Sequence, residues 1–137
     1  HPTVEPLLAE ALSKISLSDE QFAVEQVDFG RFVGATACVV TGPKDRIVYA
    51  QRPRRAGLTR FVKNREWESC ESVVVILKRA EVGDYYVLIT AFIGVRPEPE
   101  PWDRNATPQS KDFWATHALV WDSEPVILST ETSRCPW

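Results

Sequence analysis

A run of basic side chains is the part of this sequence best suited to chemistry on a charged ligand. No acidic residue occurs between Asp45 and Glu66, yet this interval carries seven of the sixteen lysines and arginines. The seven are Arg46, Arg52, Arg54, Arg55, Arg60, Lys63 and Arg65. Because the formal net charge of the whole chain is -3, the interval predicts a local positive surface that attracts a phosphate or a polyanion.

Three of these arginines fall in the loop between Gln51 and Gly57. Guanidinium groups bind phosphate through paired hydrogen bonds, so the sequence predicts phosphate-binding residues at Arg52, Arg54 and Arg55. The strand and turn that follow extend the predicted patch through Arg60, Lys63 and Arg65. In the alternative interpretation the loop is solvated and its arginines pair with acidic residues further along the chain, namely Glu98, Glu100 and Asp103.

Two residues are candidates for proton transfer and positioning. His117 is the one internal side chain whose ordinary pKa lies near neutrality, which suits a general acid or base. It also lies on a stripe with Phe113 and Trp114, and the alternative is a core histidine that bonds a backbone carbonyl. Thr90 lies within a very apolar segment, where it either packs as a β-branched residue or holds a phosphate oxygen.

The chain contains five tryptophans, and aromatic rings beside cations are what the binding of single-stranded RNA requires, because bases stack on them. Trp67 follows Lys63 and Arg65 directly and is therefore predicted to contact a ligand. The other four tryptophans are expected to pack in the core or at its edge.

Composition excludes several classes of protein. The three cysteines lack C-x-x-C spacing and only two histidines are present, so we expect reduced thiols, no metal site and no cofactor. The motifs for nucleotide phosphates, dinucleotides, zinc proteolysis and serine hydrolysis do not occur. No apolar run approaches the length of a membrane span. The sequence thus predicts one cytoplasmic domain over residues 1–137, without a membrane partner.

Apolar spacing predicts a helix at each end of this domain. Val4, Leu8, Ala11 and Ile15 recur at three- and four-residue intervals, with Thr3 available as the N-cap. The segment Ser18 to Phe29 is predicted as a short helix, although an irregular strand fits it as well. Near the other end, Thr107 and Pro108 can begin a helix whose apolar stripe contains Phe113, Trp114, His117, Val120 and Trp121.

Between these helices the apolar pattern predicts strands. The predicted strands are residues 32–40, 46–50, 58–62, 71–77 and 85–93, with 126–128 as a possible last strand. The first two are predicted to form a hairpin, and the fourth and fifth to form the centre of the sheet. Short turns between them favour an antiparallel meander. We therefore expect an α+β fold, a meander sheet of four to five strands with the N-terminal and C-terminal helices packed against it.

A proline occurs at every second position from Pro97 to Pro101, which favours an extended path. One interpretation is an interaction strip that presents Trp102 to a protein partner. The other is a rigid connector with Trp102 packed in the core. The tail from Ser129 to Trp137 is expected to be loosely held.

This order of elements resembles the superfamily that unites barnase, EndoU, colicin tRNases and RelE-type toxins (the BECR fold). The resemblance covers about residues 32–94 and rests on the basic loop and strand from Arg52 to Phe61 and on the strand Tyr85 to Phe92. It implies metal-independent cleavage of RNA, in which the ribose 2′-hydroxyl attacks the adjacent phosphate. Carried over, Arg55, Arg60 and Lys63 would supply positive charge and Thr90 would position the phosphate.

The position of the histidine in this chain differs from that in the superfamily. Many members carry a catalytic histidine early in the chain, whereas here the first internal histidine is His117. Either His117 supplies that function or the protein has the fold without the activity. Two functions therefore remain open: an RNA-binding or ribonuclease domain, and a non-catalytic module that binds a protein partner, including an inhibitor.

Overall fold

The computed structural model describes residues 4–16 and 21–137. The helices, in chain order, are α1 (Glu5–Ser13) and α2 (Ser110–Thr116). The strands are β1 (Phe22–Asp28), β2 (Gly34–Thr36), β3 (Cys38–Val40), β4 (Ile47–Gln51), β5 (Leu58–Val62), β6 (Glu68–Cys70), β7 (Ser72–Arg79), β8 (Tyr86–Ile93), β9 (His117–Val120) and β10 (Ile127–Thr132). This confirms the α+β class.

The predicted single meander sheet is wrong. Among the described residues the strands form three sheets, with the orders β1-β7-β8, β10-β4-β5-β9-β3 and β2-β6. The chain also divides into two compact units, each built from two separate stretches. The first unit comprises the described residues of His1–Thr36 and Ser69–Arg96, and the second comprises Ala37–Glu68 and Pro97–Trp137. That residues 1–137 behave as one domain stays a prediction.

The first unit is an antiparallel sheet covered on one face by α1. Its core contains Val4 at the N-cap of the helix, Ala11 from the helix itself, and Val27, Val73 and Val75 from the sheet. The helix matches its predicted apolar spacing, with Pro6 in its first turn. The predicted N-cap, Thr3, lies outside the described residues, and Val4 occupies the cap position.

The segment predicted as a second short helix forms β1 where the structure describes it, so that prediction is wrong for residues 21–29. Every residue of β1 pairs with β7, from Phe22 opposite Lys78 to Asp28 opposite Ser72. Seven cross-strand pairs outweigh a weak local preference for helix. Ser18, Asp19 and Glu20, which suggested the helix start, lie outside the described residues.

The two most apolar strands pair with each other as predicted, and β7 is central in its sheet. The prediction that both are central is wrong for β8, which is an edge strand. A register shift between Ile76 and Leu77, which pair with Thr90 and Leu88, leaves Ile89 as the extra residue of a bulge.

The second unit is a five-stranded sheet in which β4 and β5 form an antiparallel hairpin. The predicted hairpin between residues 32–40 and 46–50 is wrong. The first of these segments breaks at Ala37 into β2 and β3, and β3 pairs with β9. The β5 and β9 strands run parallel, with Phe61 opposite Leu119. A parallel pair requires a long crossover, which the residues between β5 and β9 supply.

The C-terminal helix predicted through Trp121 is too long. It ends at Thr116, because His117 adopts an extended conformation with φ -124 and ψ 149 and begins β9. Ala118 and Val120 then alternate into a core with Val39 and Val62, and this burial as a strand outweighs the helical spacing. The tail is also less loose than predicted, since β10 continues to Thr132 and Trp137 packs edge-on against Tyr49.

Neither helix in the described part of the chain has the length and hydrophobicity needed to cross a membrane.

Candidate functional site

The β4-β5 hairpin places most of the basic residues between Asp45 and Glu66 at its two ends. Arg46 directly precedes β4 and Lys63 directly follows β5, while residues 52–57 form the loop at the other end. The register pairs Ile47 with Val62 and Gln51 with Leu58. Five residues of strand span about 15 Å. A single phosphate group therefore cannot contact the cations at both ends, whereas a polyanion can.

At the loop end, Arg52 is committed to an internal ion-pair network. Its Nη2 donates to Glu100 Oε2 at 2.5 Å, its Nη1 to Glu124 Oε2 at 2.9 Å and its Nε to Thr59 Oγ1 at 3.0 Å. Burial disfavours the charged guanidinium, but the two carboxylates outweigh that effect and raise the pKa of Arg52. Arg52 is thus held in place and is not presented to a ligand.

Arg54 and Arg55 differ from Arg52 because both are exposed at the end of the loop. Within the described residues neither side chain forms an ion pair. Their backbone is fixed: the Arg55 N–H donates to Arg52 O at 3.2 Å, and Gln51 Nε2 donates to Arg55 O at 2.6 Å. These two guanidinium groups are therefore free to bind an anion while the loop that carries them is ordered by its own hydrogen bonds.

The Pro-rich segment supports this loop. A Cβ atom added to Gly57 would lie 2.2 Å from Cγ of Trp102, so the indole packs directly on the loop backbone. Glu100 is buried against Arg52, and the Glu98 carbonyl accepts a hydrogen bond from Trp114 Nε1 at 2.9 Å. These contacts match the connector interpretation of residues 97–101, and Trp102 is half-buried.

At the other end of the hairpin, two of the predicted binding residues are neutralised. Lys63 Nζ lies 2.6 Å from Glu131 Oε1 and 4.5 Å from the centre of the Trp121 ring. Arg65 pairs with Asp45 and Glu68 and also donates to the Val40 carbonyl. The exposed residues at this end include Lys44, Arg46 and Trp67, which is 50% exposed, together with the acidic Glu66.

The Arg60 side chain contacts His117 only at the His117 backbone. Arg60 Nη1 donates to Thr41 Oγ1 and to the His117 carbonyl oxygen, both at 2.9 Å. Because Phe61 pairs with Leu119 and side chains alternate along each strand, the side chains of Arg60 and His117 project from opposite faces of the sheet. They do not converge on one reacting group.

The imidazole of His117, the first residue of β9, contacts the preceding helix α2. Its Nδ1 lies 2.9 Å from the Phe113 carbonyl, and its ring stacks on the Phe113 ring at 3.9 Å. A carbonyl oxygen only accepts, so Nδ1 carries the proton in this contact, and the Thr116 hydroxyl lies 3.0 Å from the same nitrogen. This geometry matches the core interpretation of His117.

Thr90, the predicted positioning residue, is exposed on β8 in the first unit, whereas the other eight predicted site residues belong to the second unit. Those eight are Arg52, Arg54, Arg55, Arg60, Lys63, Arg65, Trp67 and His117.

The sequence did not single out Tyr49, which pairs with Arg60 across the hairpin. The phenol is buried, and burial together with a hydrogen bond to Cys135 raises its pKa, while Arg60 acts in the opposite direction. The sequence could have predicted this pair. Each side of the loop is a five-residue strand, and counting outward from Gln51 opposite Leu58 places Tyr49 opposite Arg60.

In the described part of the chain no three His, Cys, Asp or Glu side chains cluster in a way that could hold a metal ion. Comparison with protein families, with curated proteins and with solved structures gives no match to this chain.

Proposed function

We propose that this chain binds single-stranded RNA through the exposed cations of the β4-β5 hairpin, with Arg54 and Arg55 as the main phosphate contacts. The observation that carries the proposal is the contrast within the loop. Arg52 is neutralised by two carboxylates, whereas Arg54 and Arg55 project into solvent and form no ion pair among the described residues.

The second end of the hairpin supports a polymeric ligand. Lys44 and Arg46 add positive charge about 15 Å from the loop, and Trp67, two residues beyond Arg65 in the chain, offers an exposed ring. Stacking of one base on such a ring contributes about 1–3 kcal/mol. A chain of phosphates and bases satisfies both ends, which a small phosphate compound does not.

The geometry favours binding over cleavage. General acid or base catalysis requires a group within hydrogen-bond reach of the reacting oxygen. His117 and Arg60 project from opposite faces of the sheet, so the predicted base and this predicted cation do not face one reacting oxygen. We accordingly propose an RNA-binding domain without ribonuclease activity, as the departure from the ribonuclease superfamily in histidine position also suggests.

Salt-dependent binding of a fluorescent single-stranded RNA tests the proposal. Each phosphate contact on a single strand contributes about 0.7 to the slope of log K against log salt, so Arg54→Ala with Arg55→Ala should reduce the slope by about 1.4. The affinity at low salt should fall roughly tenfold or more. Lys111→Ala, which removes an exposed cation from α2, is the matched control and should leave both quantities unchanged.

Equal affinities and slopes for the double variant and the wild type would refute the proposal. Incubation of the wild type with RNA in EDTA, followed by gel analysis, tests catalysis separately. Cleavage that disappears in His117→Ala would establish the ribonuclease in place of the binding domain. If RNA is neither bound nor cleaved, the protein-binding alternative gains the support.

A further inference from the structure

Lys63 is neutralised less firmly than Arg52. Among the described residues its Nζ contacts one carboxylate, Glu131 Oε1 at 2.6 Å, and the two side chains are 22% and 34% exposed. Arg52 bonds two carboxylates and the Thr59 hydroxyl, and its side chain is 14% exposed. Ion pairs that reach solvent contribute little to stability and are weakened by salt. A phosphate group can therefore displace the partner of Lys63 more readily than the partners of Arg52.

The β10 strand, which carries Glu131, follows the edge of its sheet irregularly. Its register with β4 shifts between Ile127, opposite Gln51, and Thr132, opposite Tyr49. The β4 and β5 strands, by contrast, pair without interruption from Ile47 to Gln51. An irregular stretch leaves residues out of the ladder, and segments held by few backbone hydrogen bonds open locally at low free-energy cost.

The same strand buries little apolar surface. None of its residues is fully buried, and Ile127 and Leu128 are 40% and 73% exposed. One of its attachments is a side-chain contact, in which the Gln51 N–H donates to Thr130 Oγ1 at 2.8 Å. Beyond the strand, Trp137 packs edge-on against a β4 side chain. The strand is thus held by polar contacts that a competing anion can replace.

Lys63 lies where one more available cation extends the proposed RNA surface. Its N–H donates to the Arg46 carbonyl at 2.9 Å, which continues the β4-β5 register by one step and places Lys63 opposite Arg46. Side chains at opposite positions project from one face, where like charges repel each other. A phosphate group can neutralise both. The ammonium of Lys63 also lies 4.5 Å from the centre of the Trp121 ring, and this cation–π contact holds it in place when the carboxylate leaves.

We propose that Lys63 is a further phosphate contact for single-stranded RNA, which Glu131 closes in the free protein and which opens when RNA displaces this carboxylate together with β10. This inference rests on the proposed RNA binding of the hairpin and adds its regulation. The coupling is reciprocal. RNA loosens β10, and any change that loosens β10 raises the affinity for RNA.

Titration of full-length variants with the fluorescent single-stranded RNA tests the contact. Glu131→Gln should raise the affinity about fivefold at about 50 mM salt and steepen the salt slope by about 0.7, which corresponds to one more phosphate contact. The gain should disappear in Lys63→Ala/Glu131→Gln, because the released ammonium supplies it. The matched control is Glu71→Gln. It makes the same change in net charge at an exposed carboxylate that has no ion pair in the described part of the chain, and it should leave affinity and slope unchanged.

Hydrogen exchange of the wild type with and without the RNA tests strand release and needs no substitution. The amides of residues 127–132 should exchange faster in the complex, while those of residues 58–62 keep their protection. Unchanged or slower exchange of residues 127–132 in the complex overturns the proposal. A gain in Glu131→Gln that persists when Lys63 is also replaced overturns it as well.

This proposal and the proposed function fail in different ways. RNA binding that depends on Arg54 and Arg55, with equal affinities for Glu131→Gln and the wild type, overturns the Lys63 contact alone. If neither the wild type nor folded Glu131→Gln binds RNA, both proposals are overturned. Circular dichroism shows whether each variant is folded, and the exchange experiment on the wild type decides where a variant is not.

Discussion

Arg54 combines an exposed charge with an unfavourable backbone conformation. Its φ is 66, in the left-handed region where a side chain other than that of glycine costs about 1–2 kcal/mol. Strain of this kind occurs often at binding loops. The loop therefore retains a strained arginine at the position where the proposed ligand binds.

Because of this strain, replacing Arg54 with glycine should change the stability of the protein and its affinity for RNA in opposite directions. Arg54→Gly should raise the free energy of unfolding by about 0.5–1 kcal/mol, because glycine adopts this φ without strain, while RNA affinity falls. Urea denaturation and RNA titration measure the two effects. Arg55 does not share the positive φ, so Arg55→Gly should lower stability. If both variants change stability in the same direction, the strain does not explain the result.

Glu10 predicts how stability depends on pH. It accepts hydrogen bonds from both terminal nitrogens of Arg31, at 2.9 and 2.7 Å, and these bonds lower the pKa of Glu10 from 4.5 to about 2. A pKa that is lower in the folded state means that the carboxylate stabilises the fold above about pH 4.5. This contribution is lost as the pH falls from about 4.5 to 2.

The measurement is the urea midpoint of the wild type and of Glu10→Gln as a function of pH. The difference between the two should be constant above pH 5 and approach zero near pH 2. Arg31→Gln should give the same pH profile. A difference that does not change across this interval would contradict the assignment.

At the scale of elements, the contact between Gly57 and Trp102 joins the basic loop to the Pro-rich segment. Gly57→Ala should destabilise the protein by about 1–3 kcal/mol, because the new methyl group overlaps the indole ring. Gly42→Ala is the control, since a Cβ at Gly42 meets no atom within 4 Å, and it should change stability by less than about 0.5 kcal/mol. Thermal denaturation of the two variants checks the prediction, and equal losses would argue against the packing.

Some of these helices and strands could be predicted from the sequence, and their partners could not. The bounds of β5 were predicted as observed, and α1, β7 and β8 to within a few residues, because their apolar periodicity is local and strong. Strand partners were not predictable in this way. The β9 strand has apolar residues at helical spacing, and its identity depends on β3 and β5, which are distant in sequence.

At the scale of the whole molecule, the sequence predicted where positive charge is concentrated but not how much of it is available. Arg52, Lys63 and Arg65 are neutralised by carboxylates, some from distant segments such as Glu100, Glu124 and Glu131. Such pairing depends on tertiary structure and leaves no local pattern in the sequence. The candidate site therefore narrows from the whole basic interval to the cations that the fold leaves exposed.

The alternation of the chain between its two units has a consequence for synthesis on the ribosome. The first unit lacks its β7 and β8 strands until residue 93 has been made, and the second lacks β9 and β10 until residue 132. At about 5–20 residues per second, the 36 residues from 97 to 132 take about 2–7 s. During that interval the β4-β5 hairpin has been made but the two strands that flank it have not, so the basic loop is translated well before Glu100 and Glu124 are available to neutralise Arg52.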